Sequence, residues 1–168
     1  CEHHAEMVAE REDNPEDSDL LLRWMHAEID GQKLEEEQLL FEHVLLLVGG
    51  AETTRNAIAG GLEMLAKNPD QWAYLRANVD DEKVIAGAIE EMIRWVTPFN
   101  NMFRTATRDV ELRGKTIKEG QMIAMQYPSA NRDPSMFKEP YKFDVKRDPK
   151  EEKHISFGFG SHFCLGAN

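Results

Sequence analysis

Hydrophobic residues recur at intervals of three and four over much of the first hundred positions, which predicts amphipathic helices. The longest such pattern runs from about Leu34 to Ala66 and ends at Asn68-Pro69, because the residue before a proline avoids the helical conformation. Its middle, Leu45–Val48, is apolar around most of the helix circumference and predicts burial on nearly all sides. The other predicted helices are one ending near residue 12, one from a cap at Ser18 or Asp19 to Ala27, one from Asp70 to Ala77, and one from Glu82 to Val96.

The pattern changes after Pro98, where short β-prone segments alternate with turn residues. The predicted strands are Phe103–Thr107, Val110–Leu112, Thr116-Ile117 and Met122–Gln126, and the predicted turns are Asp30-Gly31, Arg113-Gly114 and Glu119-Gly120. Residues 128–150 hold four of the seven prolines, so we expect ordered coil there, with one helical turn near Ser129–Arg132. The whole pattern predicts a mainly α fold with small β-sheets, of the α+β class.

The length of the central helix bears on how the chain is organised. At ~1.5 Å per residue it would span roughly 50 Å, more than a globule of 168 residues can enclose. The sequence begins at Cys1 without a signal-peptide pattern and ends four residues after Cys164. We therefore expect residues 1–168 to be an internal part of one larger domain.

Composition and charge exclude several classes of function. A net charge of −11 argues against a nucleic-acid-binding protein, and the longest apolar run, Val44–Val48, is far shorter than the ~18 residues of a membrane span. The two cysteines, Cys1 and Cys164, cannot build a disulfide framework or a CxxC zinc site. Charge is uneven, since residues 1–100 carry 8 basic and 22 acidic side chains, whereas residues 101–168 carry 12 basic and 9 acidic ones.

The last segment of the chain surrounds one cysteine with glycines and phenylalanines. The spacing F-x-x-G-x-x-x-C-x-G is met at Phe157, Gly160, Cys164 and Gly166, and Gly158 lies within it. Glycines allow tight turns whose free backbone N–H groups can point at a sulfur, and we expect the phenylalanines to shield that sulfur from water. A shielded thiolate of this kind suits a haem iron. Two alternatives remain open, namely a structural cysteine and a thiol nucleophile paired with His162.

A second candidate lies in the middle of the long helix, where the sequence reads Gly-Gly-Ala-Glu-Thr-Thr. Gly49 and Gly50 each cost roughly 1 kcal/mol relative to alanine in a helix interior. They indicate either a packing notch for a crossing helix or a local opening above a cofactor. In the second case, Glu52 and Thr53 would place an acid and an alcohol beside that opening.

Two further features involve arginine. Glu91 and Arg94 stand three residues apart on a predicted helix, a spacing that most often marks a solvated ion pair. Arg104 lies on the first β segment, where an arginine is usually a surface residue.

These motifs, in this order and at these separations, resemble the cytochrome P450 haem-thiolate monooxygenases over essentially the whole chain. The resemblance implies haem b as cofactor, with Cys164 as the axial iron ligand and His162 and Arg104 at the haem propionates. It places the loop residues Phe157, Gly158, Gly160 and Gly166, and the helix residues Gly49 and Gly50, against the cofactor. It gives Glu52 and Thr53 a role in binding water and oxygen and in proton delivery. It implies that Glu91 and Arg94 lock to Arg147 in a structural triad.

The same resemblance implies an overall reaction and its partners. One atom of O2 would be inserted into a C–H bond of a small lipophilic substrate, with a lean toward sterols and terpenoids. Electrons would come from NAD(P)H through a ferredoxin or flavodoxin, as in the soluble, cytoplasmic bacterial members. The substrate would lie near Leu45, Val48, Phe99 and Asn100. The competing hypotheses are a thiol hydrolase using Cys164 and His162, and a non-catalytic helical module.

Overall fold

The computed structural model describes residues 2–13 and 20–167, and helices provide most of their regular structure. Among these residues the helices are α1 (Glu2–Asp13), α2 (Leu20–His26), α3 (Glu36–Lys67), α4 (Pro69–Ala77), α5 (Glu82–Val96) and α6 (Tyr127–Ala130). The strands are β1 (Glu28–Ile29), β2 (Gln32–Lys33), β3 (Asn101–Thr105), β4 (Val110–Leu112), β5 (Lys115–Ile117) and β6 (Met122–Gln126). This is the expected mainly α fold with small sheets. The caps predicted at Ser18 or Asp19 lie outside the described residues.

Local chemistry sets the bounds of the helices. Pro69 begins α4, where a missing N–H costs nothing. The carboxylate of Asp81 caps α5 by accepting from the backbone N–H groups of Lys83 at 2.9 Å and Val84 at 3.3 Å. At its other end, α5 stops at Thr97, which has a left-handed backbone with φ of +43°.

The strands pair in three small antiparallel sheets among the described residues. In two of them the turn residues adopt positive φ, at Asp30-Gly31 between β1 and β2 and at Arg113-Gly114 between β4 and β5. Two consecutive positive φ angles match the right-handed twist of a hairpin. The β1–β2 hairpin is a difference from the sequence prediction, which contains only its turn, because two-residue strands leave no alternating pattern.

The third sheet joins β3 to β6, which is not its neighbour along the chain. Asn101 lies opposite Gln126 and Thr105 opposite Met122, so the β4–β5 hairpin is enclosed between the two strands. Strand β3 starts two residues before the predicted Phe103, because its pairing with β6 extends to Asn101.

The chain divides into two compact units, residues 1–51 and 52–168. In the first unit the buried apolar residues are Leu21, Leu22 and Leu39. In the second, a core of Leu65, Ala88, Phe143 and Val145 ties α3 and α5 to the irregular segment that follows α6. Among the described residues, no helix combines the length and the apolar character needed to cross a membrane.

The burial predicted for the middle of α3 stays a prediction, because the sequence assigns it to a domain larger than this chain, and these residues are exposed here. Leu45 is 65% exposed, Leu46 41%, Leu47 58% and Val48 56%. The pattern predicts correctly that this stretch is apolar all round, but none of the described elements covers it. Periodicity reports what a helix could bury and does not supply the neighbour that buries it.

Candidate functional site

The cysteine loop is shaped by glycines in left-handed conformations. Gly158 and Gly160 have φ of +76° and +79°, values that strain any residue with a Cβ atom. The loop is closed where the backbone N–H of Cys164 donates to the carbonyl of Phe157 at 2.9 Å. Short 3₁₀ turns at Gly160–His162 and Leu165–Ala167 stand on either side of Cys164.

The loop presents its sulfur on an open surface. Cys164 is exposed, and a Cβ added at Gly160 or Gly166 would meet no atom within 4 Å. Phe159 is 91% exposed and Phe163 47% exposed. The described residues leave the sulfur and these two rings open, so the shielding by phenylalanines stays a prediction.

Phe157 differs from the other phenylalanines of the loop. It is partly buried, with its ring 5.5 Å from that of His154 and 6.2 Å from that of Phe163. The loop is thus packed at its root and open at its tip.

The alternative of a thiol nucleophile requires His162 to activate Cys164. Both residues are exposed on the loop, and the structure shows no hydrogen bond between their side chains within its described ranges. No carboxylate or amide holds the imidazole in place there, so the arrangement of a base oriented by a third group is not formed.

The acid and alcohol of the long helix lie next to each other on α3. The Glu52 carboxylate is 2.5 Å from Nη2 of Arg55, one turn further along, and both side chains are more than half exposed. Thr53 is partly buried. An ion pair with Arg55 therefore holds the exposed carboxylate of Glu52 beside the partly buried Thr53.

The glycines of α3 fall into two pairs with different surroundings. A Cβ added at Gly49 or Gly50 would meet nothing within 4 Å, so the described residues form no packing notch there. A Cβ at Gly60 would lie 2.7 Å from Val96, and one at Gly61 would lie 2.9 Å from Cγ of Met92. The close contact between α3 and α5 therefore lies at the second pair, which the sequence analysis did not single out.

The second unit contains a buried cluster of charges around Glu91. Its carboxylate receives Nε of Arg94 at 2.6 Å and Nη2 of Arg94 at 2.9 Å, the two-point geometry that guanidinium and carboxylate share. Nε of Arg147 reaches the same carboxylate at 3.0 Å, and the backbone N–H of Asp144 donates to it at 2.9 Å. The three side chains expected in a triad are thus brought together, and Glu91 and Arg94 are 2% and 1% exposed.

The remaining donors of the two arginines are also satisfied. Arg94 donates to the carbonyls of Asn131 at 2.7 Å and Pro140 at 3.1 Å, and Arg147 donates to that of Lys138 at 2.8 Å. Arg147 pairs as well with Glu152, a partner that the sequence analysis missed. Complete satisfaction matters because buried charges stabilise a fold only when their hydrogen-bonding groups are met.

The other predicted site residues lie apart from this cluster. Arg104 is partly buried on β3, opposite Ile123 of β6, and donates to the carbonyl of Phe103 at 2.8 Å. Phe99 and Asn100 form the exposed link between α5 and β3.

Sequence reasoning also missed a neutral network beside the charged cluster. Thr97 and Asn131 are 0% exposed and Ser156 is 9% exposed, and Asn131 donates to the hydroxyls of both of the others. The Ser-Ala-Asn-Arg-Asp-Pro segment contains Asn131, but nothing in the sequence distinguishes a buried asparagine from the turn asparagine that such a segment favours.

His154 is a second buried residue that the sequence analysis passed over. Its Nδ1 accepts the backbone N–H of Ser156 at 3.2 Å, and its Nε2 lies 2.9 Å from a carboxylate oxygen of Glu90, although not aligned as a hydrogen bond. Burial lowers the pKa of His154 below its usual value of 6.5, against the opposing effect of Glu90. The charges that face it from α5 are Glu90, Glu91 and Arg94.

Comparison with known proteins places these features in a family. The sequence model described as Cytochrome P450 matches residues 1–168. A steroid C26-monooxygenase of Mycobacterium tuberculosis is 44% identical over 159 residues, which are 95% of this chain and 41% of that protein. One from Mycolicibacterium smegmatis is 42% identical over 161 residues, 96% of this chain and 39% of that protein.

Solved structures agree with the sequence comparison. The Mycobacterium marinum cytochrome P450 CYP268A2 in complex with pseudoionone superposes with a TM-score of 0.90 at 42% identity, over 98% of this chain and 39% of that one. The chain belongs to the cytochrome P450 family. It spans about two fifths of the length of the relatives it matches.

The cofactor of this family is haem b, and the residues present fit it. The donor set is a single exposed cysteine thiol, and thiolate is one of the axial ligands that haem iron accepts. The side chains exposed around it, Phe159, Phe163 and Leu165, are apolar, which suits a large flat hydrophobic group.

The charged cluster predicts a large effect of Glu91→Gln, which keeps the shape of the side chain and removes its charge. The free energy of unfolding should fall by about 3–5 kcal/mol, because the guanidinium of Arg94 would stay buried without a counter-charge and that of Arg147 would keep only Glu152. Urea unfolding of the complete natural polypeptide measures this, and haem content should fall with it. Glu111→Gln, on exposed β4, is the control and should change stability by less than about 0.5 kcal/mol. Unchanged stability and haem content in Glu91→Gln would contradict a locking role.

The lowered pKa of His154 predicts that stability falls with acid. Below about pH 6.5 the unfolded chain takes up the proton more readily than the folded one, so unfolding is favoured until the pH reaches the lowered folded pKa. His154→Asn does not titrate and should lose this part of the pH dependence, whereas exposed His3→Asn should keep it. Denaturant unfolding from pH 7.5 to pH 5 makes the comparison, at values chosen around the ~6.5 of a free histidine. Equal slopes in the wild type and His154→Asn would rule out a buried neutral imidazole.

Proposed function

We propose that this chain carries the haem-thiolate centre of a monooxygenase. The overall reaction is R–H + O2 + two electrons + two protons giving R–OH and H2O. The observation that carries the proposal is the exposed sulfur of Cys164 at the open tip of a loop whose root is packed, in a chain of the cytochrome P450 family.

The residues that would hold the cofactor come from two parts of the second unit. Cys164 would ligate the iron, and His162 and Arg104 would contact the propionates. Gly158 and Gly160 let the backbone turn without side chains in the way. When bound, haem supplies the activation of O2, with electron density donated by the thiolate.

Protons would be handled on the long helix. The Thr53 hydroxyl both donates and accepts a hydrogen bond, so it can hold a water in place and pass a proton. Glu52 is the nearest acid along the helix, and its exposed carboxylate can exchange protons with solvent while Arg55 holds it. In this scheme Glu52 replenishes the proton and Thr53 positions it.

The proposed substrate is small and lipophilic, of the sterol or terpenoid class. The first unit exposes the apolar side chains of Leu45 and Val48, and the second exposes Phe99 next to the polar Asn100, so each unit carries groups suited to such a molecule. The names of the curated relatives, steroid C26-monooxygenases, and the pseudoionone bound in a related structure favour this class.

Electrons are proposed to come from NAD(P)H through a ferredoxin or flavodoxin in the cytoplasm. Residues 101–168 carry 12 basic and 9 acidic side chains, and the segment before the cysteine loop exposes the lysines Lys138, Lys142, Lys146, Lys150 and Lys153 among acidic residues. A modest excess of positive charge would favour an acidic carrier, and salt would screen the attraction. Electron transfer that does not slow with rising salt would contradict this donor.

The ligand assignment is tested by the spectrum of the reduced, carbon-monoxide-treated protein. The complete natural polypeptide should show the strongly red-shifted Soret band of thiolate-ligated haem, and Cys164→Ser should lose it. Cys1→Ser, at the other cysteine of this chain, should keep it. Titration of the oxidised protein with a sterol or terpenoid should shift the Soret band as substrate binds. A protein without haem, or a Cys164→Ser variant with an unchanged band, would overturn the proposal.

The proton-handling role predicts that Thr53→Ala separates electron use from product formation. The variant should bind haem as the wild type does but convert less of the consumed NADH into hydroxylated product and release more hydrogen peroxide, because the positioned proton is lost. Product per NADH should fall by about a hundredfold, the lower end of the 10²–10⁴ range for such groups. The exposed neighbour Thr54→Ala is the matched control. An unchanged product-to-NADH ratio in Thr53→Ala would remove Thr53 from this role.

A further inference from the structure

A buried amide, that of Asn131, hydrogen-bonds the root of the cysteine loop to the rest of the second unit, beside the hydrogen bond from Ser156 to the carbonyl of Ile93 on α5. Asn131 follows α6 directly, and its side chain is fully buried. Its Nδ2 donates to the hydroxyl of Thr97 at 2.9 Å and to that of Ser156 at 2.8 Å. Its Oδ1 accepts the backbone N–H of Ile155 at 2.9 Å. Both N–H donors of the amide are therefore used, and each connects to a different segment.

One of these segments is the end of helix α5. Thr97 is fully buried with φ of +43°, a conformation that strains a β-branched residue and persists only when its surroundings hold it. Its hydroxyl donates to the carbonyl of Arg94 at 2.7 Å while it accepts from Asn131. The Asn131 amide is thus hydrogen-bonded to the residue that ends α5, next to the charged cluster.

The other segment leads directly into the cysteine loop. Ser156 donates to the carbonyl of Ile93 on α5 at 3.2 Å while it accepts from Asn131, and the backbone N–H of Ile155 donates to Asn131. The next residue, Phe157, accepts the backbone N–H of Cys164. Hydrogen bonds therefore connect the end of α5 through Asn131 to Ser156, and the next residue along the chain, Phe157, is hydrogen-bonded to the backbone of Cys164.

The backbone of Asn131 joins this network to the charged cluster. Its carbonyl accepts Nη1 of Arg94 at 2.7 Å, and its own N–H donates to the carbonyl of Tyr127 at 2.9 Å. The orientation of the amide is therefore fixed by groups that are themselves buried and satisfied. An amide held in this way transmits the position of α5 to the loop, which has few other constraints at its exposed tip.

We propose that Asn131 is a positioning residue for Cys164: it holds the loop root at Ile155 and Ser156 against the end of α5, so that the sulfur is presented to the haem in one place. The haem part of this inference rests on the proposed function. The part concerning the loop root rests on the hydrogen bonds alone, and the two are tested separately.

The experiment compares Asn131→Ala and Ser156→Ala with the wild-type complete natural polypeptide. The matched control is Asn78→Ala, a partly buried asparagine that donates to the carbonyl of Tyr74 at the end of α4. Thr97→Ser keeps the hydroxyl and tests whether that hydrogen bond, rather than the threonine methyl, is needed. The first readout is amide hydrogen exchange of peptides spanning residues 153–166, and the second is the rate of haem dissociation together with the red-shifted carbon-monoxide band.

Exchange of the 153–166 peptides should rise in Asn131→Ala and Ser156→Ala and stay near wild type in Asn78→Ala and Thr97→Ser. Haem dissociation should speed up by about tenfold or more in the first two variants, as expected when a buried hydrogen-bonding group loses its partner. Part of the bound haem should also lose the red-shifted band, since the thiolate is no longer held in place.

Two results would overturn the inference. One is wild-type exchange in the 153–166 peptides of both Asn131→Ala and Ser156→Ala. The other is loss of global stability in Asn131→Ala with the haem dissociation rate and band unchanged, the pattern expected of Asn78→Ala. If Asn131→Ala does not fold, the milder Ser156→Ala decides. A wild type that lacks the red-shifted band would refute the proposed function, while the exchange data would still decide whether Asn131 holds the loop root.

Discussion

The arrangement of the second unit depends on one ionic interaction. In its interior, two guanidinium groups share the carboxylate of Glu91. Removal of three charges from water costs several kcal/mol for each, and only nearly complete pairing offsets that cost. Arg94 and Arg147 meet this requirement by reaching Glu91 and a set of backbone carbonyls in the segment that follows α6. The charges therefore fix an irregular segment that has no sheet or helix to define it.

The neutral network next to that cluster extends the same constraint toward the cysteine. Asn131 accepts from Arg94 through its backbone and donates to Ser156 through its side chain, so charge pairing and loop position share one residue. Among the described residues, those after Phe157 are not held by such a network. They form a loop with glycines in positive φ, and its cysteine is exposed. A site that must accept a large flat ligand needs this combination of a fixed root and an open tip, since the ligand itself occupies the space at the tip.

Much of the fold follows from local pattern, as the central helix shows. The predicted span from Leu34 to Ala66 and the observed α3, Glu36–Lys67, differ by no more than two residues at either end, because Asn68-Pro69 and the apolar period are local signals. The β1–β2 hairpin was missed because two-residue strands are defined by pairing rather than by composition. The sequence pattern also does not predict the exposure of Leu45 or the close packing at Gly60 and Gly61. Both depend on which other elements lie beside the helix.

The spacing around Cys164 and the order of Gly49 to Thr53, Glu91, Arg94 and Arg104 along the chain were enough to predict which residues would carry the chemistry. The packed fold was needed to learn which side chains are buried and which polar groups meet. Asn131 became the link between α5 and the cysteine loop through contacts between residues 24 to 34 positions apart, and Glu152 became a further partner of Arg147, which the family resemblance already paired with Glu91. The reason is physical: burial and hydrogen-bond partners belong to the packed chain, and no local period encodes them.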